Sequence, residues 1–291
     1  MAHGTLTLRG TTFAWGSRTY LMGILNLTPD SFSGDGLLAG PATEPLHIIV
    51  AQAQRMAREG ADILDLGGES TRPGHAPVSE ADELARVVPA VRAVRAALPA
   101  MPLSIDTTKV AVARAALDEG ADLLNDVGAV GPGGEPLARL AAERHVPLIV
   151  MHDRAEPRYA DVVAEVVADL RAALDRAIDL GVPRGHLIVD PGIGFGKTAG
   201  HNLRLLRELA ALRTLERPVL LGTSRKSTIG RVLELPAQER LEGTLATTAL
   251  GIAAGVDIVR VHDVRANLRA ARMADAVVRG SALEDEEAGG G

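Results

Sequence analysis

Cysteine is absent from the 291 residues, which excludes disulfides, thiolate metal sites and a cysteine nucleophile together. Long apolar runs are absent too. None approaches the roughly 18 residues that a membrane span needs, so no membrane partner is expected. The start, Met1-Ala2-His3-Gly4-Thr5, carries no basic region followed by an apolar core, and no signal peptide is expected. Positive charge is in deficit. With 31 Lys and Arg against 37 Asp and Glu, the net charge is −6 and the pI near 5.8, which argues against nucleic acid as the main partner. These readings describe a cytoplasmic-type protein.

Two scarcities mark positions. Lysine occurs only as Lys109, Lys197 and Lys226, each a few residues after a predicted strand. Phenylalanine occurs only as Phe13, Phe32 and Phe195, and the last two lie in the same kind of loop. Where a composition avoids a residue type, its few uses are worth a look.

What is present is globular: 46% hydrophobic and 23% charged residues allow a sizeable core. The length suits one α/β barrel, a fold of about 250 residues. A weak repeat supports it. Glu59-Gly60-Ala61-Asp62, Glu119-Gly120-Ala121-Asp122 and Ala254-Gly255-Val256-Asp257 each follow an Ala/Arg-rich helical stretch, with Gly ending the helix and an apolar strand beginning after it. Strands are predicted near 20–26, 62–66, 102–106, 121–125, 146–151, 186–190, 217–222 and 256–261. Helices fall between them, as over Ala81 to Leu98, Asp161 to Leu180 and Arg240 to Ala254. Eight such alternations predict a (βα)8 TIM barrel with a short N-terminal hairpin over residues 5–15, which would plug its bottom. An open doubly wound sheet is the alternative, because sequence does not show closure. One domain is expected over 1–280, with an acidic, Gly-rich disordered tail over 281–291.

Active sites of such barrels lie at the C-terminal ends of the strands. The first such end opens into Asn26-Leu27-Thr28-Pro29-Asp30-Ser31-Phe32-Ser33-Gly34-Asp35-Gly36, with an amide, three hydroxyls, two carboxylates and a ring. Later ends supply Asp65, Asp106, Asn125-Asp126, Met151-His152, Asp190, Ser224-Arg225-Lys226-Ser227 and Arg260-Val261-His262. This concentration of polar groups at one rim favours an enzyme over a binding scaffold. Asp106, Asn125 and Asp190 suit a flat heterocycle with paired donors and acceptors. Arg72, Lys226, Arg260 and His262 suit a phosphate-bearing leaving group, and Asn26 with its neighbours offers hard oxygens for Mg²⁺. The helix after Thr223 offers N–H groups to an anion. Gly192-Ile193-Gly194-Phe195-Gly196-Lys197-Thr198 resembles a P-loop, but Pro191 stands where its first Gly belongs, so that reading is rejected. Plainer readings also stand: His152 and His262 as satisfied rim histidines, Asp126 as a helix cap, Lys109 as a solvated charge.

Seven blocks in order resemble the dihydropteroate synthase family of pterin-binding enzymes along nearly the whole chain. They are Gly23 to Ser33, Glu69-Ser70-Thr71-Arg72-Pro73-Gly74, Ser104-Ile105-Asp106-Thr107, Asn125-Asp126, Asp190 to Lys197, Ser224-Arg225-Lys226-Ser227 and Arg260-Val261-His262-Asp263-Val264. The resemblance implies a transferase of folate biosynthesis that joins p-aminobenzoate to 6-hydroxymethyl-7,8-dihydropterin diphosphate and releases pyrophosphate. It implies that Asp106, Asn125, Met151, Asp190, Lys226 and Arg260 hold the pterin. Phe32, Thr71, Pro73, Phe195, Lys226 and Ser227 would frame the aminobenzoate. Asn26, Arg72, Arg260 and His262 would meet pyrophosphate, with Asn26 on Mg²⁺. The residues bearing the catalysis would be Lys226, Arg260, His262 and Asp106. A homodimer is also implied.

Two departures stand out. The family usually reads Asp-Gly-Gly after Ser33, whereas here Gly34 precedes Asp35. Beyond His152, Asp153-Arg154-Ala155-Glu156 replace its Met and Gly. The nearest rival is a pterin-binding methyltransferase of the methyltetrahydrofolate type, against which the Phe32 loop and the Ser224–Ser227 block speak. A catalytically silent pterin binder is the other rival.

Overall fold

The computed structural model describes residues 4–27, 45–69, 78–131 and 134–280. A short antiparallel hairpin, β1 (Thr5–Leu8) and β2 (Thr11–Ala14), comes first. The alternation begins with β3 (Tyr20–Asn26), α1 (Pro45–Arg58), β4 (Ile63–Gly67), α2 (Glu80–Ala97) and β5 (Leu103–Asp106). It continues through α3 (Val110–Asp118), β6 (Leu123–Asp126), α4 (Glu135–Arg144), β7 (Leu148–Met151) and α5 (Val162–Asp179). Next come β8 (Leu187–Asp190), α6 (Ala199–Arg207), β9 (Leu220–Leu221) and α7 (Ser227–Leu233). The last elements are α8 (Leu241–Ala253), β10 (Ile258–Val261) and α9 (Val264–Arg279).

β3 to β10 pair in parallel, in the order β8-β7-β6-β5-β4-β3-β10-β9. A parallel bridge between Val189 and Val219, with the Val189 N–H donating to the Pro218 carbonyl at 3.0 Å, joins the two ends. That pairing decides the fold: the sheet closes into a barrel. β9 is shorter than its predicted span, 217–222. Pro218 has no N–H to give a ladder, and the Val219 carbonyl is already shared by the N–H groups of Asp257 and Ile258.

The strands are buried on both faces, as a helix-covered parallel sheet requires. Leu21, Leu25, Leu64, Leu66, Leu103 and Ile105 pack outward against the helices. The inner face is a second apolar cluster: Met22, Ile63, Leu123, Ile149, Ile188, Leu220 and Ile258 meet Leu6, Phe13, Trp15 and Tyr20. The Phe13 ring lies 4.9 Å from that of Tyr20 and 5.6 Å from that of Trp15. The hairpin therefore plugs the bottom of the barrel, as expected.

Helix signals explain the outer layer. Ser79 caps α2 by accepting the Asp82 N–H at 3.1 Å, and Asp161 caps α5 by accepting those of Val163 and Ala164. Along α5, Val162, Val163, Val166, Leu170, Ala173, Leu174 and Ala177 are buried at helical spacing.

The repeated Gly residues end their helices in the left-handed region: φ is +98° at Gly60, +104° at Gly120 and +95° at Gly255. The Asp two residues later proves to be a clamp. Asp62 accepts the Leu21 N–H at 2.8 Å, Asp122 that of Leu103 at 2.9 Å, and Asp257 that of Val219 at 3.0 Å. Each carboxylate thus pins the start of a neighbouring strand. This corrects the expectation that polar side chains gather at one rim alone, since the bottom rim carries its own carboxylates for structural reasons.

Candidate active site

The strand period of two builds the site directly on the apolar layer. Ile63 is followed two residues on by Asp65, Leu123 by Asn125, Ile149 by Met151, Ile188 by Asp190, and Ile258 by Arg260. β5 adds Asp106 from the same face. The floor is therefore sealed by branched aliphatics, and the layer above it is mostly polar and buried.

One cation anchors that layer. Arg260 donates from Nε to Asp65 Oδ2 at 2.6 Å and from its terminal nitrogen to Asp106 Oδ2 at 2.7 Å. Asn125 Nδ2 donates to the same Asp65 oxygen at 3.2 Å. Asp65 is wholly buried, and Asp106 and Asn125 nearly so. The second oxygens of Asp65 and Asp106 and the Ser104 hydroxyl are buried without a hydrogen-bond partner. Such orphaned acceptors are costly unless a ligand supplies donors.

Burial pushes the Asp106 carboxyl up to about 7; Arg260 pulls it back, and Asp65 and Glu83 add to the rise. Burial opposes the charge of Arg260, but the Asp65 and Asp106 carboxylates outweigh it and raise that group. Asp190 is raised by burial, against the pull of Lys226 and its own bond from the Gly192 N–H at 2.7 Å.

Lys226 stands beside Asp190, since it follows β9, the strand that closes the barrel against β8. It stands just before α7, donates to the Ile193 carbonyl, and holds Nζ 4.5 Å from the Phe195 ring centroid. Burial lowers it to about 8, with Asp190 opposing the fall. Gly222 leaves the wall between them flat: a Cβ there would sit 3.8 Å from Asp190 Oδ2 and 3.9 Å from Lys226 Nζ. Carboxylate acceptors beside a guanidinium suit the edge and face of a flat ring that carries donors.

A family model described as pterin binding enzyme matches residues 22–262. The dihydropteroate synthase of Clostridium beijerinckii is 46% identical over 268 residues, covering 92% of this chain and 97% of that one. The chain belongs to the dihydropteroate synthase family. Among solved dihydropteroate synthases, one from Clostridium difficile, determined in the presence of pteroic acid, is 45% identical with a TM-score of 0.86, covering 91% of this chain and 98% of that one. One from Xanthomonas albilineans with 4-aminobenzoic acid is 40% identical with a TM-score of 0.86, covering 94% and 97%.

In this member of the dihydropteroate synthase family, Asp106, Asn125, Met151, Asp190, Lys226 and Arg260 all stand at or near the C-terminal ends of the strands. Phe195 is brought against Lys226. Ser227 opens α7 and is exposed. His262 follows β10, and one hydroxyl fixes it twice: Ser224 Oγ lies 2.9 Å from Nδ1 and accepts the His262 N–H at 3.2 Å. Asn26 ends β3 in register with Gly67, and Gly67 is in turn in register with Asp106. Phe32, Thr71, Arg72 and Pro73 lie outside the described residues, as does the Gly34-Asp35 departure.

Asp65 is the residue that sequence reasoning left without a role. Its signal was present: it stands two residues after Ile63, the same step that separates Leu123 from Asn125. Other readings change. Asp126 caps no helix; its Oδ1 accepts the Gly128 N–H at 2.8 Å, and burial pushes its carboxyl up to about 7. Lys109 is not a solvated charge. Its ammonium bonds Glu69 and, at 2.6 Å, the fully buried Glu83. Arg225, with φ +56°, is held by Asp263 at 2.6 and 3.0 Å.

Proposed function

We propose that the chain condenses 6-hydroxymethyl-7,8-dihydropterin diphosphate with p-aminobenzoate, giving 7,8-dihydropteroate and pyrophosphate in folate biosynthesis. The observation that carries this reading is the buried network of Asp65, Asp106, Asn125 and Arg260, with Asp190 and Lys226 brought up to Arg260 around Gly222. A pterin edge presents adjacent N–H and amino donors, which match the acceptors of Asp106 and Asp190. Arg260 lies against the ring, and Met151 lines it.

Departure of pyrophosphate leaves a methylene cation conjugated to the pterin. Buried carboxylates stabilise that cation, while Lys226, Arg260, His262 and Arg72 face the leaving anion. Their fixed placement, without water, is the main catalytic device. The aminobenzoate amine is neutral and weakly basic, so its attack requires no strong base. Phe195, Phe32, Thr71 and Pro73 frame that second substrate, with Ser227 meeting its carboxylate.

Mg²⁺ fits this donor set in one way. Among the described residues no group of three or more His, Cys, Asp or Glu forms a cage, but Asn26 offers one hard oxygen. That suits an ion held mainly by substrate phosphates and water, where it would neutralise charge on the departing pyrophosphate.

A homodimer agrees with the apolar residues that α8 and α9 leave exposed: Leu250, Met273 and Val277 are 64%, 65% and 73% accessible. A cytoplasmic location accords with the substrates. Among the described residues no helix is long and apolar enough to cross a membrane.

The test is pyrophosphate release from the full chain, with each substrate alone and with both, with and without Mg²⁺. Release only with both substrates is expected. Methyl transfer from methyltetrahydrofolate, or pterin binding without release, would overturn the reading.

A further inference from the structure

Lys197 is one of three lysines in the chain, and neither the pterin slot nor the leaving-group site uses it. It lies in the loop between β8 and α6 and is half-buried by area, but its ammonium end is enclosed. Nζ lies 3.0 Å from the Gly192 carbonyl, 2.9 Å from that of Phe195, 3.3 Å from that of His152 and 2.8 Å from His152 Nδ1. His152 Nε2 in turn lies 3.1 Å from Asp169 Oδ2. Burial lowers Lys197 to about 7, and burial with the Lys197 charge lowers His152 to about 4.

The loop that Lys197 gathers rests backbone on backbone upon the segment after β7. Gly192 has φ +64°, and a Cβ there would lie 1.8 Å from the His152 carbonyl oxygen. Gly196 has φ +53°, and its Cβ would lie 2.0 Å from the Arg154 carbonyl oxygen. Tyr159 donates its hydroxyl to the Gly196 carbonyl at 3.0 Å, which fixes the outer edge of the loop. Lys197 fixes the inner edge. The two loop carbonyls that it holds, Gly192 and Phe195, bracket the turn whose Ile193 carbonyl and Phe195 ring meet Lys226.

The geometry points to Lys197 as a positioning residue that sets the aminobenzoate wall, by tying the Gly192–Phe195 turn to His152 and so fixing Phe195 relative to Lys226. A lysine serves where an aliphatic side chain would not, because one group must satisfy several converging carbonyls. The pterin groups Asp106, Asn125 and Arg260 stand on strands away from this turn, while Asp190 and Lys226 touch it only through the Gly192 N–H and the Ile193 carbonyl. Loss of Lys197 therefore weighs more heavily on the aminobenzoate than on the pterin. The inference rests on the proposed function, which assigns Phe195 to the aminobenzoate.

The test is steady-state kinetics of full-length Lys197→Met, together with calorimetric binding of the dihydropterin diphosphate. The aminobenzoate KM is expected to rise about tenfold, while affinity for the dihydropterin diphosphate stays within about threefold. Lys197→Gln, which keeps two N–H donors, is expected to fall between wild type and Met, and it replaces Met if that variant does not fold. An unchanged aminobenzoate KM would overturn the inference, and so would an equal loss at both sites. Absence of condensation by the wild-type chain in the same assay would instead refute the proposed function.

Discussion

Asp65→Asn perturbs the site through a residue that is itself assigned to neither substrate. In the wild-type chain one oxygen of Asp65 takes both donors, Arg260 Nε at 2.6 Å and Asn125 Nδ2 at 3.2 Å, while the other is buried without a partner. An amide cannot reproduce this. If its oxygen faces Arg260, its NH₂ is buried where no acceptor stands, at a cost of about 1–3 kcal/mol. If it turns round, donor faces donor. The surviving bond to the guanidinium also loses the ion-pair attraction of the carboxylate, although its donor stays charged. We expect a loss of about 2 kcal/mol in urea unfolding at neutral pH, by these magnitudes. Arg260 and Asn125 both lose their anchor, so kcat/KM for the dihydropterin diphosphate should fall about 30-fold, the same free energy expressed as a rate. The Asp65 charge also helps to raise Asp106. The variant should therefore move the Asp106 titration below its position near 7, which carboxyl NMR can follow. Stability within about 0.5 kcal/mol of wild type, the range of an ordinary surface change, together with unaltered kcat/KM, would refute this reasoning.

Three further outcomes are expected. Asp126, raised to about 7 by burial, binds its proton more tightly folded than unfolded, so its contribution to stability falls as pH rises from the ordinary carboxylate range to 7. Asp126→Asn removes that loss; its stability relative to wild type should climb by up to about 4 kcal/mol between pH 4 and 7.5 in urea titrations, and a constant difference would contradict the assignment. Lys226→Ala should lower kcat by about a hundredfold or more in pyrophosphate release and weaken pterin binding, whereas near-wild-type turnover would remove Lys226 from the site. Asp257→Asn, at the opposite rim, should cost about 1–2 kcal/mol in thermal or urea unfolding and leave kcat/KM unaltered; a kinetic defect without a stability defect would contradict its clamp role.

The barrel was legible because its units repeat. Gly60, Gly120 and Gly255 mark helix ends, and the apolar runs after them mark strands, so local patterns place the elements to within a few residues. Closure was not legible, because it depends on one pairing, Val189 with Val219, and no local pattern says which strands become neighbours. The polar rim was legible as a list of strand ends, but its grouping follows from inward parity. Asp126 adjoins Asn125 and so faces the other way, while Asp65 shares the inward step and joins Arg260. The rarity of lysine located Lys109 and Lys197 but not their partners. Glu83 reaches Lys109 from a different helix, and the carbonyls around Lys197 belong to backbone that only the fold brings together. The Asp in each repeat looked like part of a strand signal and is instead a clamp on the neighbouring strand.

The most direct measurement for the central claim is a crystal structure of the full chain with 7,8-dihydropteroate bound. The account predicts the pterin edge within about 3 Å, hydrogen-bond distance, of Asp106, Asn125 and Asp190, with Arg260 against the ring and the aminobenzoyl group between Phe195 and Lys226. A pterin seated elsewhere on the barrel, with the Asp106 and Asp190 carboxylates unpaired, would contradict it.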